Sequence, residues 1–145
     1  MLETPHAVVG GAVAAAVTGA TGSIPLGIAA AFASHFVCDT IPHWNPKAPL
    51  KRRGVVAFVS ADFILGFSAT AFFAGQFPDR PEIWLGGLFG MVPDMIMGIR
   101  YVFRVRWLKP YEWFHSRYHI EVAPRYGIPT QIVAIALAAW YLASL

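Results

Sequence analysis

The sequence predicts an all-α protein, in which a single domain over residues 1–145 forms a bundle of about five membrane-spanning helices. The chain is 57% hydrophobic and only 13% charged, whereas soluble domains are about 45–50% apolar and about 25% charged. Long apolar stretches separate its charged residues. A single cysteine excludes an internal disulfide framework and a four-cysteine zinc module. These observations favour a small polytopic membrane protein.

The first apolar stretch, residues 7–34, is long for one membrane span and short for two. Residues 19–25 read Gly-Ala-Thr-Gly-Ser-Ile-Pro, which is a concentrated turn signal. We therefore predict two short helices, at about residues 5–18 and 24–41, joined by a tight turn. Their many small residues would allow close helix packing.

Three longer apolar segments follow, at residues 55–77, 82–103 and 128–145. Each has about the 20 residues that a helix needs to cross roughly 30 Å of hydrocarbon. Asp62 and Asp94 interrupt the first two of these segments. With the initial hairpin, the sequence predicts five spans.

The basic residues fall on one side of this predicted topology. Ten of the 11 share that side, and only Arg80 lies opposite. The ten are Lys47, Lys51, Arg52, Arg53, Arg100, Arg104, Arg106, Lys109, Arg117 and Arg125. Cytoplasmic loops carry such an excess of Lys and Arg, so we expect a cytoplasmic N-terminus. Membrane topology, rather than nucleic-acid binding, then explains the net charge of +3.

The connector at residues 104–125 mixes basic and aromatic side chains. Aromatic rings anchor segments in the headgroup layer, and cations there attract anionic lipids. We predict an interfacial helical connector. One of its arginines would then be available for a substrate phosphate, and Arg117, which lies between two histidines, is our choice.

All the histidines and three aspartates are predicted to lie near the cytoplasmic face. They are His6, His35, His43, His115, His119, Asp39, Asp62 and Asp94. Ionisable side chains inside membrane spans are costly and therefore mark functional sites. The pairs His35/Asp39 and His115/His119 are spaced i, i+4, which places each pair on one helix face.

Imidazole and carboxylate groups are ligands of zinc, manganese and iron. A bound ion of this kind lowers the pKa of a coordinated water to near neutrality. We therefore predict a site for a divalent transition metal, with zinc favoured over manganese or iron, that holds one to three ions. Structural roles stay open for several of these groups, including the His35/Asp39 pair. Asp94 would pair with Arg100 or cap a helix, and Asp62 would bond Ser60 or a backbone amide. His43 would be a cap or an interfacial group, and His115 and His119 would be interfacial.

Three short motifs resemble the bacterial membrane-bound metal-dependent hydrolases, a family related in pattern to zinc-dependent phospholipase C. The motifs are Thr-Pro-His at residues 4–6, His-Phe-Val-Cys-Asp-Thr-Ile-Pro-His at 35–43 and Gly-Gly-Leu-Phe-Gly-Met-Val-Pro-Asp at 86–94. The resemblance implies metal ligation by His6, Asp94 and His115 or His119, with His35 and Asp39 as partners. It also implies a bacterial inner membrane. The family's usual Pro-Asp-x-Asp-His stops here at Pro-Asp.

The leading functional expectation is a metal-dependent hydrolase of a lipid phosphoester at the cytoplasmic leaflet. The expected roles are metal ligation by His6, His35, Asp39, Asp94 and His119, catalysis by His115, Asp62 and His43, and substrate binding by Arg117. Two other functions stay open. A metal or ion transporter would continue its polar residues toward the outer side, and a non-catalytic membrane subunit would have histidines that point apart. Any of the three is compatible with a homo-oligomer.

Overall fold

A computed structural model describes residues 1–46 and 52–145, and of residues 52, 53 and 55 it describes only the backbone. The basic residues Lys47 and Lys51 therefore lie outside the described residues. The described part contains α-helices and one 3₁₀ turn, but no strand longer than an isolated bridge. The helices are α1 Glu3–Thr21, α2 Ile24–Asp39, α3 Arg52–Gln76, α4 Pro81–Phe103, α5 Lys109–Ser116 and α6 Pro124–Ala143.

Three helices of the described part are long and apolar enough to cross a membrane: Val56–Gln76 in α3, Pro81–Phe103 and Pro124–Ala143. The all-helical bundle is thus confirmed, and these helices indicate a membrane protein. The apolar helix α2 is only 16 residues long, and α1 does not meet the same criterion. The count of five spans therefore stays a prediction.

Residues 7–34 form two helices, as the turn signal predicts. Gly22 ends α1 in the left-handed conformation with φ 69°, which favours glycine, and its N–H donates to the Thr18 carbonyl at 2.7 Å. Ser23 then caps α2, since its side chain accepts from the Leu26 amide. At its other end α2 stops at Asp39. Pro42 lies three residues later, and it disfavours the helical conformation at Ile41, the residue directly before it.

The helix α1 lies in the middle of the bundle, in contact with α2, α3, α4 and α6. Glycines bring its backbone directly against α4. A Cβ added to Gly86 would lie 2.6 Å from the Gly10 carbonyl oxygen, and one added to Gly90 would lie 2.4 Å from the His6 carbonyl oxygen. The glycine-rich run of α4 therefore sets the position of His6.

Two short segments complete one end of the bundle. The His43 amide donates to the Ile120 carbonyl at 3.0 Å, and the Val122 amide donates to the His43 carbonyl at 2.9 Å. Gln131 of α6 joins this segment to α1, since its amide donates to the Trp44 carbonyl and its oxygen accepts from the Leu2 amide. These hydrogen bonds bring the segments around residues 1, 43 and 120 to the same end of the bundle.

Candidate metal centre

Seven ionisable side chains at this end form one mostly buried cluster, which we call the His/Asp cluster. Its members are His6, His35, Asp39, His43, Asp94, His115 and His119. They come from α1, α2, α4, α5 and the two short segments, so every part of the cluster depends on the tertiary fold. All the histidines of the chain and two of the three predicted aspartates are therefore brought together.

Asp39 is the centre of the cluster. Its Oδ1 lies 3.2 Å from His6 Nε2 and 3.9 Å from His43 Nε2. Its Oδ2 lies 3.2 Å from His35 Nε2, and it is 3.9 Å from His115 Nε2 and 3.0 Å from His119 Nε2. One carboxylate thus lies within 4 Å of an imidazole nitrogen from each of the five histidines.

Asp94 adds a second carboxylate beside the same rings. Its Oδ1 lies 3.1 Å from His115 Nε2, and its Oδ2 lies 3.9 Å from His6 Nε2. It lies inside α4 and does not cap a helix, while Arg100 pairs with Glu112 at 3.1 Å. Both structural alternatives for Asp94 are therefore wrong.

Backbone carbonyls orient two of the imidazoles toward the cluster. Nδ1 of His35 lies 2.9 Å from the Gly90 oxygen, and Nδ1 of His43 lies 2.8 Å from the Ile41 oxygen. Since a carbonyl only accepts, each Nδ1 donates, and the Nε2 of each ring faces the cluster. Metal-ligating histidines are typically held in this way.

Three buried polar atoms of the cluster make no well-aligned hydrogen bond within the described residues. They are both ring nitrogens of His6 and Oδ2 of Asp39, although Oδ2 lies 3.0 Å from His119 Nε2. The His6 ring instead stacks on His35, with centroids 3.8 Å apart. The N-terminal amino group contacts Asp39 Oδ1. A buried polar atom without a partner costs free energy, and a cation among these atoms would remove that cost.

The ligand spacings fit a metal ion. Four sets of three residues have ligand atoms within 4.8 Å of one another. The sets are His6/His35/Asp94, His35/Asp39/His115, Asp39/His43/His119 and Asp94/His115/His119. Ligand atoms about 2.0–2.1 Å from a tetrahedral zinc ion are about 3.3 Å apart, and the cluster distances of 3.0–3.9 Å bracket that value. Buried His/Asp groups of this protein are thus able to hold a metal ion.

Burial also shifts the protonation of two groups outside the membrane-spanning helices. It lowers the pKa of His43, which favours the neutral imidazole that ligates metals. Burial raises the pKa of the Tyr111 phenol, and Asp94 and Asp39 add to that rise. The protonated Tyr111 hydroxyl donates to the Pro93 carbonyl at 3.1 Å, which fixes α5 beside α4.

The structure places the remaining two predicted site residues outside the His/Asp cluster. Asp62 accepts from the amide and hydroxyl of Thr4 and from the amide of Glu3. It therefore caps α1, one turn before His6, which is the backbone-amide role left open for it. Arg117 is exposed, and its guanidinium lies over the ring of Trp113 at 4.7 Å.

Sequence reasoning missed three residues that shape the site. Gln131 connects α1 to the segment after His43. Gly127 lets α6 approach that segment, because an added Cβ would lie 2.2 Å from the Trp44 nitrogen. Glu3 is buried at the edge of the cluster, and its Oε2 has no partner within the described residues. Of these three residues, only Gln131 could have been found from the sequence, because a glutamine within an apolar helix is unusual.

Comparisons of the chain with protein-family models, with curated proteins and with solved structures found no match.

Proposed function

We propose that the protein is an integral-membrane metal-dependent hydrolase that acts on a lipid phosphoester, with the His/Asp cluster as its active site. The observation that carries the proposal is the position of Asp39, whose carboxylate lies within 4 Å of all five histidines. Zinc is the favoured ion, with manganese or iron as alternatives. When bound, such an ion acts as a Lewis acid and lowers the pKa of water.

The chain's own residues divide into an inner and an outer set. His6, His35 and Asp39 are fully buried, so they would hold the ion. Asp94, His115 and His119 line a cavity of about 390 Å³ that also borders Tyr101 and Ser116. A substrate would therefore meet the outer set first. Its imidazoles are the groups that would pass a proton to the leaving oxygen.

The position of the cluster supports a reaction at one membrane face. Arg100, Arg104, Arg106, Lys109, Arg117 and Arg125 lie at the same end of the bundle or in its connector. By the excess of basic residues, we propose that this end is cytoplasmic, in a bacterial inner membrane. The cavity beside His115 is not lined by Lys or Arg in the described part, and neither is a second cavity, which Phe63, Asp94 and Met95 line between α3 and α4. The bound ion, rather than Arg117, would then hold the phosphate.

The far half of the bundle argues against the transporter alternative. Its hydrophobic core is built from Val8, Ala12, Ala15, Ile83, Ala138 and Leu142, and its buried carboxylate, Glu82, is already paired with Arg80. A path for ions would need polar groups that continue through this core. The convergence of the imidazoles also argues against a non-catalytic subunit, for which we expect histidines that point apart.

Hydrolysis of phospholipid vesicles by the purified, zinc-loaded protein tests the proposal. We expect release of the phosphorylated headgroup, and we expect that a chelator abolishes it. Asp39→Asn removes one carboxylate charge from the centre of the cluster and should lower turnover at least 100-fold. Asp79→Asn is the matched control, because Asp79 is exposed in the turn before α4.

Two outcomes would reject the proposal. The first is turnover in the Asp39→Asn variant equal to that of the unaltered protein. The second is no hydrolysis of any phospholipid by protein that does contain bound metal, because a metal site without phosphoester chemistry would then have another purpose.

A further inference from the structure

We infer that a groove between α3 and α4 holds an acyl chain of the lipid whose phosphoester lies at the His/Asp cluster. This inference rests on the proposed function, which it extends by assigning the substrate to membrane lipids that enter sideways from the bilayer. The groove is a cavity of about 360 Å³. Its apolar walls are formed by Val59, Phe63, Ile64, Met95 and Gly98.

The groove opens toward the region that acyl chains occupy. It lies along α3, the candidate span with the smallest buried share, 11%. Ile64 and Val59, on the groove wall, are 63% and 45% exposed. They lie three to eight residues inside the apolar span that starts at Val56. At 1.5 Å per residue, this is about 5–12 Å along the helix, the depth of the upper acyl chain.

The inner end of the groove is polar. Asp94 lines it and also lines the cavity beside Tyr101 and His115 on the connector side. Glu3, which is buried and has an unpartnered Oε2 within the described residues, lies at the same end. The apolar groove therefore ends at the Asp94 carboxylate, and the cavity beside Tyr101 opens beyond it. This arrangement fits a molecule with a hydrocarbon tail and a polar head.

The dimensions favour a lipid over a second protein chain. A helix with its side chains is about 10–12 Å across, and a cavity of about 360 Å³ does not accept such an element. A linear hydrocarbon chain is much narrower than a helix, and it is the occupant that we assign to the groove. The leaving products would then separate, with the apolar part returning to the bilayer and the phosphorylated part leaving beside Tyr101.

Photolabelling with a phosphatidylcholine that carries a diazirine in the upper part of one acyl chain tests this inference. The protein is placed in nanodiscs of that lipid, and labelled residues are mapped by mass spectrometry. We expect labelling to concentrate on Phe63 and Met95. Gly98→Leu should lower labelling at both residues at least fivefold, because its side chain fills the groove. A Cβ at Gly98 meets no atom within 4 Å, so the first atom of the new side chain has open space.

Gly75→Leu is the matched control. Gly75 lies near the other end of α3, and a Cβ there also meets no atom within 4 Å. It should leave the labelling pattern unchanged. Labelling spread evenly over the exposed positions of α3 and α6 would overturn the inference. So would a pattern that Gly98→Leu does not alter, or crosslinks between two copies of the chain at the groove.

The readout is independent of catalysis. Labelling is measured in chelated, inactive protein as well as in zinc-loaded protein. If the protein binds the acyl chain at Phe63 and Met95 but never cleaves the lipid, the proposed function is wrong and the inference about the groove stands. A protein that cleaves lipid without labelling at the groove rejects the groove and not the proposed function.

Discussion

The two ends of the bundle are built from the same helices but differ in the number of ionisable side chains that they bury. One end of α1, α2 and α4 carries His6, Asp39 and Asp94, with His6 3.2 Å from Asp39 and Asp94 3.1 Å from His115. The far half of α1 packs through Ala12 and Ala15 against apolar neighbours. The far half also buries polar groups, but these are paired: Glu82 lies 2.9 Å from Arg80, and Arg80 donates to the Ala15 carbonyl at 3.1 Å.

The difference indicates that burial of the His/Asp cluster lowers the stability of the fold. Burying several imidazoles and two carboxylates inside a protein is unfavourable unless they are paired or bind a cation. His6 and Asp39 still keep buried polar atoms that make no well-aligned hydrogen bond among the described residues. A bound ion would offset this cost, so we expect the stability of the cluster end to depend on metal and that of the far half to be independent of it.

We expect the largest difference between the two ends from two glycine variants. In Gly90→Ala, the added Cβ would lie 2.4 Å from the His6 carbonyl oxygen, so α1 must move away from α4 at the cluster. In Gly27→Ala, the Cβ would lie 2.7 Å from the Ala14 carbonyl oxygen in the far half. Overpacking of this kind costs about 1–3 kcal/mol. We expect both variants to lower the thermal midpoint in detergent, and only Gly90→Ala to weaken zinc binding, by about tenfold or more.

Equal loss of zinc affinity in both glycine variants would contradict this difference between the ends. It would mean that general loosening of the bundle is enough to disrupt the site. Zinc titration of each variant, below its unfolding temperature, measures this directly.

Replacement of Arg117 should have the smallest effect. Its exposed guanidinium lies over Trp113 and not in the cluster, and an exposed cation–π contact is worth about 0.5–1 kcal/mol. Arg117→Ala should therefore leave zinc affinity unchanged and change phospholipid turnover less than twofold. A larger loss of turnover would restore the sequence-based prediction that this arginine binds the substrate phosphate.

The sequence predicts the helical hairpin and the end of the bundle at which the histidines meet. The turn signal at residues 19–25 is local, so it is readable without the fold. The alternation of long apolar helices places His6, His35 and Asp94 at similar depths, and the structure confirms that they converge. Depth along a helix follows from residue number alone, at 1.5 Å per residue.

The role of each residue within the site is not readable in the same way. Asp62 and Asp94 look alike in sequence, as single carboxylates in apolar helices. One caps α1 and the other joins the cluster, because they lie on helices that face different neighbours. Rotation of each of these helices about its axis is set by tertiary packing, which no local pattern specifies here. Arg117 is different, because its partner Trp113 lies four residues earlier, a spacing that brings two side chains together on a helix.

Zinc X-ray absorption of the purified protein tests the central claim, that the His/Asp cluster binds a metal ion, most directly. We predict at least one ion per chain, with a first shell of nitrogen and oxygen atoms at about 2.0–2.1 Å, and we predict its loss in Asp39→Asn but not in Asp79→Asn. Protein that retains no ion after removal of loosely bound metal would contradict the account. A sulfur ligand at about 2.3 Å would also contradict it, because it would move the site to Cys38.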